Sequence, residues 1–191
     1  MPHTDRLDFD AIAGFVTDGA RVLDLGCGDG VLLERLVRDK KAVARGVELS
    51  EDNVRACIAR GLSVRHGNIE EGLADYRGSA FDFVILSQTL AYLDQPIPVV
   101  KEMLRVGKSA IISFDNAGYW RRRLQAAQGG GMGHSLTSRE PRERAITIPQ
   151  FDQFTREVGA QVRRAVYLTG RHPIRRLRRL RATAAVYMIS G

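Results

Sequence analysis

The chain has 191 residues, 44% of them hydrophobic and 27% charged, which is enough for one globular domain to bury a core without disulfides or structural metals. No apolar run approaches the ~20 residues that a membrane-spanning helix needs, and the first residues lack the basic-then-apolar layout of a secretory signal. Two cysteines, Cys27 and Cys57, are too few for a disulfide framework, so we expect buried, reduced thiols and a cytoplasmic location.

The net charge of +7 is concentrated near the C-terminal end. Residues 160–191 contain eight arginines and no acidic residue, so of the 29 lysines and arginines 21 remain in the rest of the chain, against 22 acidic residues. Such a segment can attract phosphate, nucleic acid or an acidic protein surface. The alternative is a solvated arginine-rich loop between two strands, and a charge run alone does not decide between these interpretations.

Short apolar runs alternate with amphipathic stretches, which is the pattern of βαβ units around a parallel sheet. We predict a single α/β domain with a mostly parallel seven-stranded sheet, helices on both faces and an antiparallel C-terminal strand. Its predicted parts are an N-terminal helical cap (1–20), a core (21–128), a mobile loop (129–148), and a C-terminal helix with a strand pair (149–191).

The predicted strands cover residues 21–26, 42–48, 62–66, 81–87, 109–114, 161–168 and 182–190. The predicted helices cover residues 30–40, 51–61, 98–107, 119–128 and 149–159, and a short turn or helix covers 68–76. Ser50 is the expected N-cap of the second helix and Gly61 its left-handed end. In the first helix we expect Leu32, Leu33, Leu36 and Val37 to be buried.

The strongest local signal is the sequence Asp24-Leu25-Gly26-Cys27-Gly28-Asp29-Gly30, between the first strand and the first helix of the core. Glycines allow a tight turn and the close approach of a ligand, and the helix N-terminus offers free N–H groups. The spacing is not the G-x-G-x-x-G of dinucleotide-binding folds, and Asp24 suits a ligand that carries an amine. The motif resembles motif I of S-adenosylmethionine-dependent methyltransferases. That resemblance implies their Rossmann-like class I fold and S-adenosylmethionine or S-adenosylhomocysteine as cofactor.

Further cofactor-binding candidates follow the other strands. Glu48 ends the second strand about 20 residues after the glycine loop, where an acidic side chain accepts hydrogen bonds from ribose hydroxyls, and Leu49 follows it. Asn68 and Ile69 follow the third strand, where such a pair gives the adenine a polar contact and an apolar face, although Asp is the usual residue at the first position. Ser87 leaves the fourth strand at the edge where open α/β sheets bind ligands.

No general base for methyl transfer stands out, so the catalytic residue stays unassigned. The candidates near the expected pocket are Tyr92, Asp94, Asp115 and Tyr119. Residues 87–90 do not make the Asn/Asp-Pro-Pro-aromatic sequence of nucleobase amino-methyltransferases, which argues against methylation of adenine or cytosine amines. The histidines lack the spacing of metal ligands, so we expect no metal site.

The glycine loop together with residues 56–61, 71–75, 81–90 and 102–108 resembles the MetW family, short methyltransferase-like proteins of bacterial methionine biosynthesis. The resemblance covers about residues 20–128. It implies a partner, homoserine O-acyltransferase, which needs MetW for full activity in several bacteria. The chain departs from the family at Asp115 and Ala117, which replace a proline and an aromatic residue, at 132–147, and in the arginine run at 175–181.

Three hypotheses follow from these observations. The first is an S-adenosylmethionine-binding accessory protein that activates homoserine O-acyltransferase, with Tyr119 and Trp120 as candidate partner contacts. The second is a free-standing small-molecule methyltransferase, which the complete glycine motif favours. The third is an RNA-directed methyltransferase that holds phosphates with its arginines. Fold alone does not decide among them.

Overall fold

The computed structural model describes Arg6 and residues 8–127, 144–170 and 172–191, so most of the predicted loop at 129–148 lies outside the described residues. The described strands are β1 (Arg21–Leu25), β2 (Val43–Glu48), β3 (Val64–His66), β4 (Phe81–Ser87), β5 (Gly107–Asp115), β6 (Gln161–Thr169), β7 (His172–Pro173) and β8 (Ala184–Ser190). The described helices are α1 (Asp8–Phe15), α2 (Val31–Lys40), α3 (Glu51–Ala59), α4 (Pro96–Val106), α5 (Trp120–Ala127), α6 (Ile148–Glu157) and α7 (Arg178–Arg181). Two 3₁₀ turns cover Ile69–Glu71 and Leu90–Tyr92.

The strands form one sheet in the order β3-β2-β1-β4-β5-β8-β6-β7. The first five strands are parallel, and β8 runs antiparallel to both β5 and β6. The prediction of a mostly parallel sheet with an antiparallel C-terminal strand is therefore confirmed, but the predicted number of seven strands is wrong because the sheet has eight. The additional strand, β7, has two residues and pairs with Leu168 and Thr169 at the sheet edge. It is too short to produce a periodic pattern, and an edge tolerates its proline.

Most helix boundaries follow the expected capping chemistry. The Ser50 hydroxyl accepts a hydrogen bond from the Asn53 N–H at 3.4 Å, which confirms the predicted N-cap of α3. Helix α4 begins at Pro96 rather than at Pro98, because proline is also well accommodated at the first helical position. Val37 was expected in the core but is 41% exposed, since α2 buries the face that carries Leu36 and turns the next residue toward solvent.

Alternate residues of the central strands point to opposite faces of the sheet and into two separate hydrophobic clusters. One face carries Leu23, Leu86 and Ile112 and packs against α4 and α6. The other face carries Val22, Ile85, Ile111 and Val186 and packs against α1 and α2. Because the side-chain period is two, Asp24, Ser87 and Ser113 continue this second face at the carboxyl ends of their strands. Within the described residues no helix is long and apolar enough to cross a membrane.

Candidate functional site

The glycine loop joins the end of β1 to the start of α2. Gly26, Gly28 and Gly30 all have left-handed backbone conformations, with φ of 69°, 57° and 82°. The N–H groups of Gly26 and Cys27 donate to the carbonyl of Val47, at 2.8 and 3.3 Å, and so attach the loop to the end of β2. Three left-handed residues within five positions are possible here because glycine has no Cβ to clash with the following carbonyl.

The three glycines serve different purposes. A Cβ on Gly30 would lie 2.5 Å from Leu62 Cδ1 and 2.8 Å from Cys57 Sγ, and a Cβ on Gly26 would lie 2.9 Å from Thr89 Oγ1. A Cβ on Gly28 would meet nothing within 4 Å. Packing inside the protein therefore requires glycine at positions 26 and 30, whereas Gly28 leaves free space beside the loop.

Glu48 lies against this loop, as its position at the end of β2 predicts. Its side chain is almost fully buried, and Oε2 accepts a hydrogen bond of 2.8 Å from the Gly28 N–H. The other oxygen, Oε1, accepts from the Ser50 N–H at 2.9 Å and from Asn53 Nδ2 at 3.4 Å. One carboxylate thus links the glycine loop to the start of α3 and still has lone pairs to offer a ligand.

Asp24 is the most unusual acidic group of the site. It is 1% exposed, and its Oδ1 has no hydrogen-bond partner among the described residues. Burial raises the pKa of Asp24 to about 7, the charge of Arg6 acts in the opposite direction, and Asp8 and Glu48 raise it further. A buried acceptor without a donor is costly, so a native one needs an explanation. A cationic or hydrogen-bonding ligand group would supply the missing donor.

Beside Asp24 lies a buried network that the sequence did not reveal. Asp8 Oδ2 accepts hydrogen bonds from Ser87 Oγ at 2.7 Å, from Ser113 Oγ at 2.5 Å and from Arg6 Nη2 at 3.0 Å. The same Arg6 nitrogen donates to Ser87 Oγ at 2.7 Å. The network ties the first residues of the described chain to the carboxyl ends of β4 and β5. The alternation of β4 and β5 already places the two serines on one face, but nothing in the sequence marks Asp8 as their partner.

The remaining predicted cofactor residues lie along the same edge of the sheet but differ in exposure. The half-buried Asn68 caps a 3₁₀ turn by accepting a hydrogen bond from the Glu70 N–H at 3.0 Å. Ile69 is buried in the hydrophobic cluster that contains Leu23 and Leu86, so its side chain contributes to the packing of the core. Leu49 is 64% exposed and is free to contact a ligand.

Both cysteines are buried free thiols: Cys27 belongs to the glycine loop, and Cys57 on α3 packs against it. The two Sγ atoms face the carbonyl of Gly28, at 3.9 Å from Cys27 and 3.3 Å from Cys57. Burial raises the pKa of Cys27 far above its ordinary value, so the thiol is the stable form. Cys57 Sγ also occupies the space beside Gly30 that a side chain there would need.

None of the four proposed bases is set into the network around Asp8. Asp115 forms an ion pair of 3.0 Å with Arg122, and Tyr119 packs edge-on against Trp120. Tyr92 and Asp94 are exposed. The part of the chain that the structure describes contains no cluster of three His, Cys, Asp or Glu residues that could hold a metal ion.

The fold is that of solved S-adenosylmethionine-dependent methyltransferases. One from Mesorhizobium loti superimposes with a TM-score of 0.72 at 14% identity, covering 97% of this chain and 98% of that one. One from Archaeoglobus fulgidus gives a TM-score of 0.70 at 15% identity, covering 96% and 91%. The predicted Rossmann-like class I methyltransferase fold is therefore confirmed.

Curated relatives match shorter segments. The bifunctional methionine biosynthesis protein MetXA/MetW of Rhodopirellula baltica is 37% identical over 125 residues, which are 61% of this chain and 20% of that protein. A ubiquinone biosynthesis O-methyltransferase of Methylococcus capsulatus is 36% identical over 95 residues, 47% of this chain and 40% of the relative. The chain thus spans less than half the length of these relatives.

The family comparison covers far more of the chain. The family model of the methionine biosynthesis protein MetW matches residues 6–189, a range that begins at the Arg6 of the buried network and ends in β8. The chain therefore belongs to the MetW family of methionine biosynthesis proteins.

Proposed function

We propose that this protein binds S-adenosylmethionine or S-adenosylhomocysteine at the glycine loop and acts as an activating partner of a homoserine O-acyltransferase. The observation that carries the first half is the unpartnered, buried Asp24 Oδ1 beside a loop whose Gly28 leaves open space. The second half is supported by the Rhodopirellula baltica relative, in which one bifunctional chain carries the names MetXA and MetW together.

The residues around the loop fit such a cofactor. Glu48 offers carboxylate lone pairs to the ribose hydroxyls, and Asp24 offers an acceptor to the amine of the methionine portion. Asn68 and the exposed Leu49 flank the place for the adenine. When bound, S-adenosylmethionine supplies an activated methyl group, whereas the demethylated form serves only as a regulatory ligand.

A partner surface is available next to β5. Trp120 and Leu124 lie four residues apart on α5, so they share one face of the helix, and they are 46% and 48% exposed. Exposed aromatic side chains anchor protein interfaces more often than other residue types. We assign the acyltransferase contact to this face, together with Tyr119 at the start of the helix.

Activation requires that the protein bind the active state of the acyltransferase better than the inactive state, because equal affinity shifts no equilibrium. A tenfold activation needs only ~1.4 kcal/mol of differential binding free energy, which a modest interface can supply. Ligand at the glycine loop can alter this difference, so the proposal includes feedback by S-adenosylmethionine.

The test is co-purification with the homoserine O-acyltransferase of the same genome, and an assay of acyltransferase activity with and without this protein. We expect a complex and a gain of at least about tenfold in activity, both lost in Trp120→Ala/Leu124→Ala. The control is Ile58→Ala, since Ile58 is 59% exposed on α3, away from α5, and its loss should change neither result. Absence of a complex together with unchanged activity would refute the accessory function.

A free-standing small-molecule methyltransferase is the second candidate. Its supporting observations are the complete glycine motif of this chain and the similarity to ubiquinone biosynthesis O-methyltransferases, one of which is 36% identical over 95 residues. Transfer of a labelled methyl group from S-adenosylmethionine to a small-molecule fraction, in the absence of any acyltransferase, would favour this function over the first.

A further inference from the structure

Three arginines line a cavity of about 770 Å³ that includes none of the predicted cofactor residues. Arg175, Arg178 and Arg179 line it together with Gly118 and Thr147. Gly118 follows the carboxyl end of β5, and the arginine segment leads into β8, whose first residue pairs with the last residue of β5. The cavity therefore opens at the same edge of the sheet as the glycine loop.

The segment that carries these arginines is firmly held. Asn116 is fully buried, and its Nδ2 donates to the carbonyls of Arg179 and Ala182 at 3.1 and 2.9 Å. Its Oδ1 accepts from the Gly118 N–H at 3.0 Å. The Arg178 guanidinium lies 4.7 Å from the centre of the Tyr167 ring. These contacts fix the backbone at Arg179 and the side chain of Arg178.

These positive charges are not neutralised within the part of the chain that the structure describes. No described carboxylate forms an ion pair with Arg175, Arg178 or Arg179, and the nearby Asp115 pairs with Arg122 instead. Residues 160–191 also contain no acidic residue. Like charges held around one cavity repel each other, so an anion bound between them is strongly favoured.

We propose that this cavity binds the phosphate group of a small molecule, as a ligand site separate from the cofactor site. Guanidinium groups pair bidentately with phosphate oxygens, so Arg175 and Arg179, which have no described ion-pair partner, suit a group of charge near −2 better than a single carboxylate. The volume lies within the range of about 300–1,000 Å³ that is typical of small-molecule sites. Single-stranded nucleic acid is less suitable, because the described lining contains no aromatic side chain on which bases could stack.

Calorimetric titration of the 191-residue chain with inorganic pyrophosphate, at constant ionic strength, tests this site. We expect saturable binding of one equivalent. The variant Arg175→Gln/Arg179→Gln should weaken it by about tenfold or more, because charged hydrogen bonds are lost. It keeps Arg178 on the Tyr167 ring.

The control variant is Arg176→Gln/Arg181→Gln, which removes the same charge from the same segment at two arginines that do not line the cavity. We expect less than about a twofold change for it. Affinity for S-adenosylhomocysteine, measured on both variants, shows that each is folded. Equal weakening in both variants, or no saturable binding, would overturn the proposal. Citrate that binds as tightly as pyrophosphate would also overturn it. The same holds for a single-stranded RNA oligonucleotide that binds more tightly than pyrophosphate and loses affinity equally in both variants.

Discussion

The Gly28 N–H donates a hydrogen bond of 2.8 Å to Glu48 Oε2, so this bond joins the glycine loop to the end of β2. The same carboxylate holds the Ser50 N–H at 2.9 Å. A carboxylate fixed from two sides cannot rotate away from the loop, and its remaining lone pairs keep one direction. An acceptor that the protein's own hydrogen bonds hold in place loses little conformational entropy when a ligand binds to it.

Glu48→Ala should greatly reduce the affinity for S-adenosylhomocysteine. Each charged hydrogen bond to a ribose hydroxyl contributes about 1.5–3 kcal/mol, so the loss of two corresponds to a hundredfold change or more. Calorimetry measures this directly. Glu51→Ala removes an acidic residue three positions away, with a 68% exposed side chain, and should leave the affinity unchanged. An unchanged affinity in Glu48→Ala would refute the ribose assignment.

Gly28→Ala and Gly30→Ala should separate ligand binding from folding. At Gly28 the new methyl group meets open space, so the folded protein loses only about 1–2 kcal/mol through its left-handed φ, whereas ligand affinity falls about tenfold or more. At Gly30 the methyl group collides with Leu62 and Cys57, and we expect a loss of about 2–4 kcal/mol in the free energy of unfolding.

Urea denaturation and calorimetry together check this pair. The control is Gly14→Ala, a position in α1 where a Cβ meets nothing within 4 Å, which should stabilise the protein by about 0.5–1 kcal/mol. If Gly28→Ala bound S-adenosylhomocysteine normally, the free space beside Gly28 would not be the cofactor site.

Asp8→Ala should destabilise the protein far more than a change of the neighbouring Asp10. Removing the buried Asp8 carboxylate leaves the Ser87 and Ser113 hydroxyls without their acceptor and Arg6 without its ion pair, which costs about 3 kcal/mol or more. Asp10 is 72% exposed and pairs with Arg35, so its loss should cost less than about 1 kcal/mol. Urea denaturation curves of both variants would show the difference, and equal effects would contradict it.

Local signals predicted the parts of the site that depend on neighbouring residues. The glycine loop, the Ser50 cap and the position of Glu48 at the end of β2 all follow from spacing and strand periodicity. The Asp8 network could not be predicted, because its hydrogen bonds join residues 79 and 105 positions apart and no pattern marks one buried acid among 22 acidic residues. The two-residue strand β7 was missed because it is too short for any period to be visible.

The buried Asp24 should make stability fall as the pH rises. Its pKa is about 7 in the folded protein, above the ordinary 3.8, so between these values the folded state binds more protons than the unfolded state. The contribution of Asp24 to the stability is therefore fully present below about pH 4 and is lost as the pH rises through about 7. Asp24→Asn removes this pH-dependent loss. The free energy of unfolding of the variant, relative to that of the original protein, should therefore increase from pH 5 to pH 8, as measured by urea denaturation.

Asp82→Asn provides the control for this pH dependence. Hydrogen bonds from Arg21 and Lys108 hold the pKa of Asp82 well below its usual range. Asp82 is therefore ionised in both the folded and unfolded states throughout pH 5–8. Its replacement should change stability by the same amount at both ends of that range. A constant difference for Asp24→Asn as well would show that Asp24 is already ionised at pH 5.

Binding of S-adenosylhomocysteine should release protons at neutral pH. An ammonium group placed beside Asp24 lowers the pKa of the carboxyl, which is about half protonated at pH 7 in the free protein, so up to about half a proton is released per ligand. Calorimetry in phosphate and in Tris, whose ionisation enthalpies differ, measures this number. Methylthioadenosine lacks the amine, so it should bind without releasing protons. S-adenosylhomocysteine should likewise bind to Asp24→Asn without proton release. Identical binding enthalpies in both buffers for the original protein would mean that the ligand amine does not contact Asp24.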